Sequence, residues 1–221
     1  LTTKILSAIY SHNHTSFIDK IIIKKRSEMI NIINKNLSKE IFDDALDIGT
    51  TNDMEFPSSN YLIKNLEKIE KYKSISDQKI DSNFFSSTLK KSITDDFSLE
   101  EINLHNADLV ISNATIEHVG SYSNQLKMIS NIINFSKKKF IISTPNRFHP
   151  IDFHTKIPFI HWLPKKIHRK ILLLIGLDYY AKEENLNLLS LNNLMVLLDN
   201  FNNIKYKIFR IRLFGFVSNF I

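Results

Sequence analysis

Asp108-Leu109-Val110-Ile111-Ser112-Asn113 is a compact apolar run bounded by polar residues. It predicts a strand buried on both faces, as in a sheet sandwiched between helices. Two other stretches repeat the pattern. Ala45-Leu46-Asp47-Ile48-Gly49 is a short apolar run ending in glycine, as a buried strand does when it meets a turn, and Phe140-Ile141-Ile142-Ser143-Thr144 is stopped by Pro145. Segments with helical spacing lie around them. Pro57-Ser58-Ser59-Asn60 reads as a helix start continued by Leu62, Ile63, Leu66 and Ile69, and Leu126, Ile129, Ile132 and Ile133 mark another helix.

Working outward, Ile21, Met29, Ile30 and Ile33 predict a helix from about Ser16 to Asn36. Lys73 to Ser76 reads as a second strand ending near Asp77, and Lys91 to Thr94 as a third. Pro145, Pro150, Pro158 and Pro164 exclude a long helix between Asn146 and Pro164 and predict an ordered loop or lid. Helices are expected at Lys165–Leu177 and Ser190–Asn200. Ile204 to Ile211 alternates apolar and basic residues as an edge strand does, with Phe214–Ile221 its partner. Repeated strand–helix alternation predicts an α/β fold: a doubly wound, mostly parallel Rossmann-like sheet with helices on both faces. With 221 residues and no internal repeat or linker, one domain over 1–221 is expected, with a helical extension at 1–43 and a lid or insertion at 146–178.

Composition narrows the function classes. A hydrophobic content of 43% supports a real core, and no apolar run approaches the roughly 18–20 residues that span a bilayer. The net charge of +6 is spread over separate clusters (Lys24 to Arg26, Lys137 to Lys139, Lys165 to Lys170) without aromatic interleaving, so no specific nucleic-acid partner is read. The absence of cysteine removes disulfides, thiolate nucleophiles and Cys-zinc sites and fits a cytoplasmic chain. His149, His154, His161 and His168 match no zinc-ligand spacing, so no metal is expected.

Three motifs, in order, carry a family resemblance. Asp47-Ile48-Gly49-Thr50-Thr51-Asn52-Asp53 resembles the first motif of class I S-adenosylmethionine (SAM)-dependent methyltransferases. Asp108 to Val119, containing Glu117-His118, is similar to their fourth-strand motif, in which a Glu-His pair opens the next helix. Ile142-Ser143-Thr144-Pro145-Asn146-Arg147 resembles their fifth strand with its Thr-Pro-Asn ending. Within the superfamily, the chain resembles a subgroup with a glycine-poor Gly-Thr-Thr-Asn-Asp loop, a later Phe-His-Thr segment (Phe153-His154-Thr155) and a following His-Trp-Leu-Pro (His161 to Pro164). Thr50, Thr51 and Asn52 stand where the common loop carries further glycines. The likeness spans roughly Ala45 to Asn219.

The resemblance implies SAM as cofactor and methyl transfer to an unidentified acceptor. It puts Asp47, Gly49, Thr50, Thr51 and Asp53 in the loop facing the amino-acid part of SAM. It puts Asp77 on the ribose hydroxyls, Asp95 (or Asp96) at the adenine, and Asn113 beside the methyl group. On the acceptor side it implies Glu117, Arg147, His149, His154 and Thr155, with His118 as the catalytic base; an imidazole titrates in a suitable range. The acceptor stays open among a small molecule, a glycan, a lipid and a protein. Two competing readings stand beside it. One is a non-catalytic binding module on the same fold. The other is a peripheral protein on the inner face of a membrane, seated by Trp162 and the cations and apolar side chains up to Leu174.

Overall fold

A computed structural model of the chain describes residues 17–221, with side chains from Lys20 onward. The expected helix start at Ser16, and the earlier part of the 1–43 extension, lie outside the described residues. The strands are β1 (Asp44–Ile48), β2 (Lys71–Ser76), β3 (Ser87–Lys90), β4 (Ala107–Asn113), β5 (Ser136–Pro145), β6 (Arg210–Leu213) and β7 (Phe216–Phe220). The helices are α1 (Phe17–Leu37), α2 (Tyr61–Lys64), α3 (Leu99–His105), α4 (Tyr122–Phe135), α5 (Lys165–Leu174), α6 (Asp178–Ala181) and α7 (Leu191–Leu198). Short 3-10 turns follow β4 (Ile116–His118) and precede α5 (Ile160–Trp162).

The seven strands form one sheet in the order β3-β2-β1-β4-β5-β7-β6. β1 to β5 pair in parallel, and β7 enters antiparallel between β5 and β6. The chain leaves β1 toward β2 and β3, then returns to lay β4 against the other edge of β1. That reversal opens a crevice at the carboxyl ends of β1 and β4, where open α/β sheets bind ligands.

The alternation of side chains across a pleated strand divides the interior into two cores. Leu46, Ile48 and Val110 point into one, packed with Met128, Ile129, Ile132 and Phe135 of α4 and Leu194 and Leu197 of α7. Ala45, Leu109 and Ile111 point into the other, with Met29, Ile30 and Ile33 of α1 and Leu62 and Ile63 of α2. Burial on both faces is why β1 and β4 read as continuous apolar runs. At their amino ends, Asp44 accepts the Asp108 amide (2.8 Å) and Asp108 accepts the Asp43 amide (3.0 Å), stapling the two strands. Lys73 (2.8 Å) and Lys138 (2.7 Å) neutralise the pair.

Three elements depart from the sequence expectations. The third strand lies at Ser87–Lys90, not Lys91–Thr94. It is a sheet edge whose residues alternate between half-buried and exposed, so no apolar run announces it. Ser92 to Asp95 instead closes a turn, with the Ser92 amide donating to Asp95 Oδ2 (3.1 Å). The helix after Pro57 shrinks to a single turn, because the preceding residues are held in a loop bonded to its own side chains. The last hairpin pairs from Phe209, which exchanges backbone hydrogen bonds with Ile221. Ile204 and Ile208 turn inward onto the core rather than extending the edge.

Asn131 of α4 ties the turn after β3 to the helix layer. Its buried amide donates to the carbonyls of Ile93 (2.6 Å) and Asp95 (3.0 Å). Replacing it leaves the buried Ile93 carbonyl without this donor and frees the turn at Asp95. Asn131→Ala is expected to cost about 1–3 kcal/mol in urea unfolding; an unchanged midpoint would contradict this role.

Candidate functional site

The loop that leaves β1 is built around Gly49. Its φ of +86° lies in the left-handed region, and its N–H donates to the Ile75 carbonyl of β2 (2.9 Å). A Cβ here would sit 2.2 Å from Thr115 Oγ1, so glycine is required by close approach as well as by φ. Thr115 follows β4 and donates to the Ile48 carbonyl (3.3 Å). The two loops therefore interlock at the mouth of the crevice.

Beyond Gly49 the loop is cross-linked by side chains. Thr50 is buried; its hydroxyl donates to Asp47 Oδ2 (2.6 Å), and its carbonyl accepts Ser76 Oγ (2.7 Å). Asn60, itself left-handed (φ 50°), accepts the Thr51 amide (3.0 Å) and returns its own amide to the Thr51 carbonyl (2.8 Å). Asp53 accepts the amides of Glu55 (3.2 Å) and Phe56 (2.9 Å) and the hydroxyl of Ser59 (3.1 Å), and those backbone donors hold its carboxyl below the usual range. Thr50 and Asp53 thus shape the loop from within, while Thr51 lies exposed on its surface. Burial pushes the Asp47 carboxyl up to about 6, partly offset by the Thr50 hydroxyl.

Asp77 is exposed directly after β2, next to this loop along the crevice. Asp95 is also exposed, although one carboxylate oxygen closes the turn after β3. Its neighbour Asp96 pairs with Lys127 instead. Asn113 ends β4 half-buried, its Oδ1 accepting Ser143 Oγ (2.5 Å).

Beyond Asn113 the chain turns through Ala114 (φ +54°) into the 3-10 turn carrying Glu117 and His118. Glu117 is wholly buried, and its Oε2 accepts Thr144 Oγ1 (3.0 Å) from the end of β5. Its other oxygen, Oε1, has no hydrogen-bond partner and faces two imidazoles at 3.9 Å each, His118 and His154. The two rings approach edge to face, their Nε2 atoms 3.1 Å apart.

The 146–164 segment supplies the far wall. Asp152 is its organiser: Oδ1 accepts the amide of His154 (3.0 Å) and faces His154 Nδ1 (3.2 Å), while Oδ2 accepts Thr155 Oγ1 (2.7 Å). Burial alone would raise this carboxyl, but the His154 and Thr155 contacts hold it well below the usual carboxylate range. Arg147 reaches across the segment to the carbonyls of His161 (3.0 Å) and Leu163 (2.7 Å). His149 is buried and stacked on Phe153, and its carbonyl accepts from the His161 ring (2.7 Å) and the Trp162 indole (3.2 Å). Burial lowers His168 to about 4, leaving that ring neutral at pH 7.

The fold therefore brings Glu117, His118 and His154 into one cluster, with Thr155 one bond behind it through Asp152. Arg147 and His149 brace the far wall. Asp152, Thr144 and Thr115 were not singled out from the sequence. Asp152-Phe153-His154-Thr155 does carry a local signal, an Asp accepting from the two residues that follow two and three positions on. Thr144 acts through a long-range contact to Glu117, and Thr115 through one to Ile48 beside a local bond to the Asn113 carbonyl (3.3 Å). A cavity of about 620 Å³ between α1, β5 and residues 203–209 is lined by none of these residues.

No family model and no curated protein matches the sequence. Solved structures do match in fold. The N-methyltransferase NodS from Bradyrhizobium japonicum WM9, in complex with S-adenosyl-L-homocysteine (SAH), aligns with a TM-score of 0.51 at 9% identity, over 89% of this chain and 85% of its own. Magnesium protoporphyrin IX methyltransferase (ChlM) from Synechocystis PCC 6803, with bound SAH, aligns at 0.55 and 11% identity over 99% and 91%. The plantazolicin methyltransferase BpumL, in complex with a pentazolic desmethylPZN analog and SAH, aligns at 0.55 and 16% identity over 96% and 76%. The chain has the fold of these methyltransferases.

The buried Asp47 has a measurable signature. A carboxyl whose folded pKa is raised binds its proton more tightly in the native state, so its contribution is present below the unfolded pKa and is lost as pH rises to about 6. Asp47→Asn keeps an acceptor for Thr50 and removes the titration. Between about pH 5 and pH 8 the variant is expected to gain on wild type by on the order of 1 kcal/mol in denaturant unfolding; parallel pH profiles would contradict it.

Proposed function

We propose that the chain transfers a methyl group from SAM to an acceptor held between the end of β4 and the 146–164 segment. The observation that carries the reading is the fold, a sheet with β7 inserted antiparallel between β5 and β6, which aligns over 89% and 99% of the chain with methyltransferases solved with bound SAH. The interlocked Gly49 and Thr115 loops support it, because they hold the carboxyl ends of β1 and β4 together at the switch point.

In this reading Gly49 and the exposed Thr51 face the amino-acid part of SAM. Asp77 accepts from the ribose hydroxyls, Asp95 lies at the adenine, and Asn113 borders the methyl group. A lone pair on the acceptor attacks the methyl carbon in line. The carbon–sulfur bond breaks, its electrons stay on sulfur, and SAH leaves. The protein's largest contribution is alignment of donor and acceptor. His118, a third exposed and with its Nδ1 facing the Asn185 carbonyl at 2.7 Å, presents Nε2 to take the acceptor's proton. The 146–164 segment serves as the acceptor-side lid, with Glu117, His154 and Thr155 on its inner wall and Arg147 and His149 holding its shape.

The acceptor is a small molecule, a glycan or a lipid. Trp162, Leu163, Ile167, Leu173 and Leu174 are exposed on and just before α5, which supports a seat against a membrane surface for the same domain. Among the described residues no helix is long and apolar enough to cross a membrane. The alternative, a non-catalytic binding module, draws support from the loop after Gly49, where Thr50 and Asp53 are spent on internal bonds.

Isothermal titration with SAH separates these readings. Wild type is expected to bind one equivalent. Asp77→Ala, at an exposed position that leaves the core untouched, is expected to bind about 10–100-fold more weakly, as loss of hydrogen bonds to a charged acceptor costs roughly 1.5–3 kcal/mol. No heat of binding at millimolar SAH, with a folded sample, would overturn the methyl-transfer reading in favour of the binding module.

A further inference from the structure

We propose that Glu117, His118 and His154 form a binding site for a divalent first-row transition-metal ion. One ligand atom from each lies within 4.8 Å of the others. The His118 and His154 Nε2 atoms are 3.1 Å apart. Two ligands about 2.1 Å from one ion, at angles between octahedral and tetrahedral, stand roughly 3.0–3.4 Å apart. Glu117 Oε1, at 3.9 Å from each nitrogen, is the third corner of the triangle.

The protonation states point the same way. His118 Nδ1 lies 2.7 Å from the Asn185 carbonyl, and His154 Nδ1 lies 3.2 Å from the Asp152 carboxylate. Both partners only accept, so each Nδ1 carries a proton, and the Nε2 of each ring is the atom left to offer a lone pair to an ion between them. A third acceptor joins them: Glu117 Oε1, fully buried and without a hydrogen-bond partner. A buried carboxylate oxygen so placed calls for a cation.

The surroundings are those of a metal site. Asp152 behind His154 is a carboxylate–histidine relay, which fixes the tautomer and raises ligand basicity. The Asn185 carbonyl does the same for His118, and Thr144 holds the other Glu117 oxygen at 3.0 Å. The partial exposure of His118 gives the ion a path from solvent.

Two imidazoles and one carboxylate suit zinc, iron(II) or manganese(II) better than calcium or magnesium, which prefer all-oxygen cages. Three protein ligands leave a coordination position open. This departs from the sequence expectation of no metal. That expectation tested a row of loop histidines against zinc spacings, whereas these ligands are two adjacent residues on a turn and a third 36 positions later. The site itself stands independently of methyl transfer. Its role rests on that reading: an acceptor hydroxyl at the open position would be acidified by the ion and would lose its proton to solvent water, because the His118 ring, now a ligand, no longer takes it.

The test uses the full chain, stripped with chelator and dialysed, then titrated with zinc calorimetrically and with cobalt(II) by visible absorption. Wild type is expected to take up one equivalent and to give the intensified bands of a low-coordinate imidazole–carboxylate cobalt site. His118→Ala, at a partly exposed position, is expected to weaken binding at least tenfold, and Asp152→Asn about 10–100-fold. An aqueous-ion cobalt spectrum in wild type, or zinc affinity unchanged in His118→Ala, overturns the proposal and leaves a proton shared between the rings. SAH titration of the same samples keeps the two readings apart. SAH binding without metal binding removes the metal site alone, and metal binding without SAH binding removes only its role in methyl transfer.

Discussion

Everything at the mouth of the crevice depends on one close approach, that of Thr115 to Gly49. Any side chain at position 49 would collide with the Thr115 hydroxyl and with its methyl group, and the positive φ already disfavours one. Because the glycine yields that space, the chain leaving β1 and the chain leaving β4 pack against each other rather than splaying apart. The Gly49 amide is tied to β2 in the same step, so three adjacent strand ends are held in register. The Ile116–His118 turn starts one residue past Thr115, and its position follows from that lock.

Charge is distributed to match. At the amino ends of β1 and β4, Asp44 and Asp108 are compensated by lysines and by backbone amides, which hold both carboxyls below their ordinary range against the effect of burial. At the carboxyl ends, Asp47 is buried with a single hydroxyl partner and Glu117 has one oxygen with none. One end of the sheet is neutralised by the protein itself. The other is left with buried acceptors, as expected of an end that meets ligands rather than its own side chains.

The parts of the fold legible in the sequence are those buried on both faces. β1, β4 and β5 read directly, because two-sided burial leaves an uninterrupted apolar run. β3 and β6 were misplaced by a few residues, since at an edge the pattern thins to alternation and the neighbouring turn competes with it. Of the candidate site residues, Gly49 and Asp77 follow β1 and β2 and Asn113 ends β4, while Glu117 and His118, on the turn beyond, were singled out by the family resemblance. The loop residues were harder. Asp53 looks like a ligand-facing carboxylate in sequence but is drawn back onto its own backbone amides, and Arg147 spends its guanidinium on two lid carbonyls. Thr144 stands in the Thr-Pro-Asn ending but could be given no role, because its partner Glu117 is delivered only by the tertiary fold, whereas Asp152 was passed over although its partners His154 and Thr155 are local.

The account stands or falls on whether the crevice between β1 and β4 holds the methyl donor. A crystal structure of the chain soaked with SAH tests this most directly. The ligand is expected along the carboxyl ends of β1, β2 and β4, with its amino-acid portion at Gly49, its ribose hydroxyls within hydrogen-bond reach of Asp77 and its sulfur toward Asn113. Ligand density confined to the cavity between α1 and β5, or a crevice without ligand at saturating SAH, would contradict it.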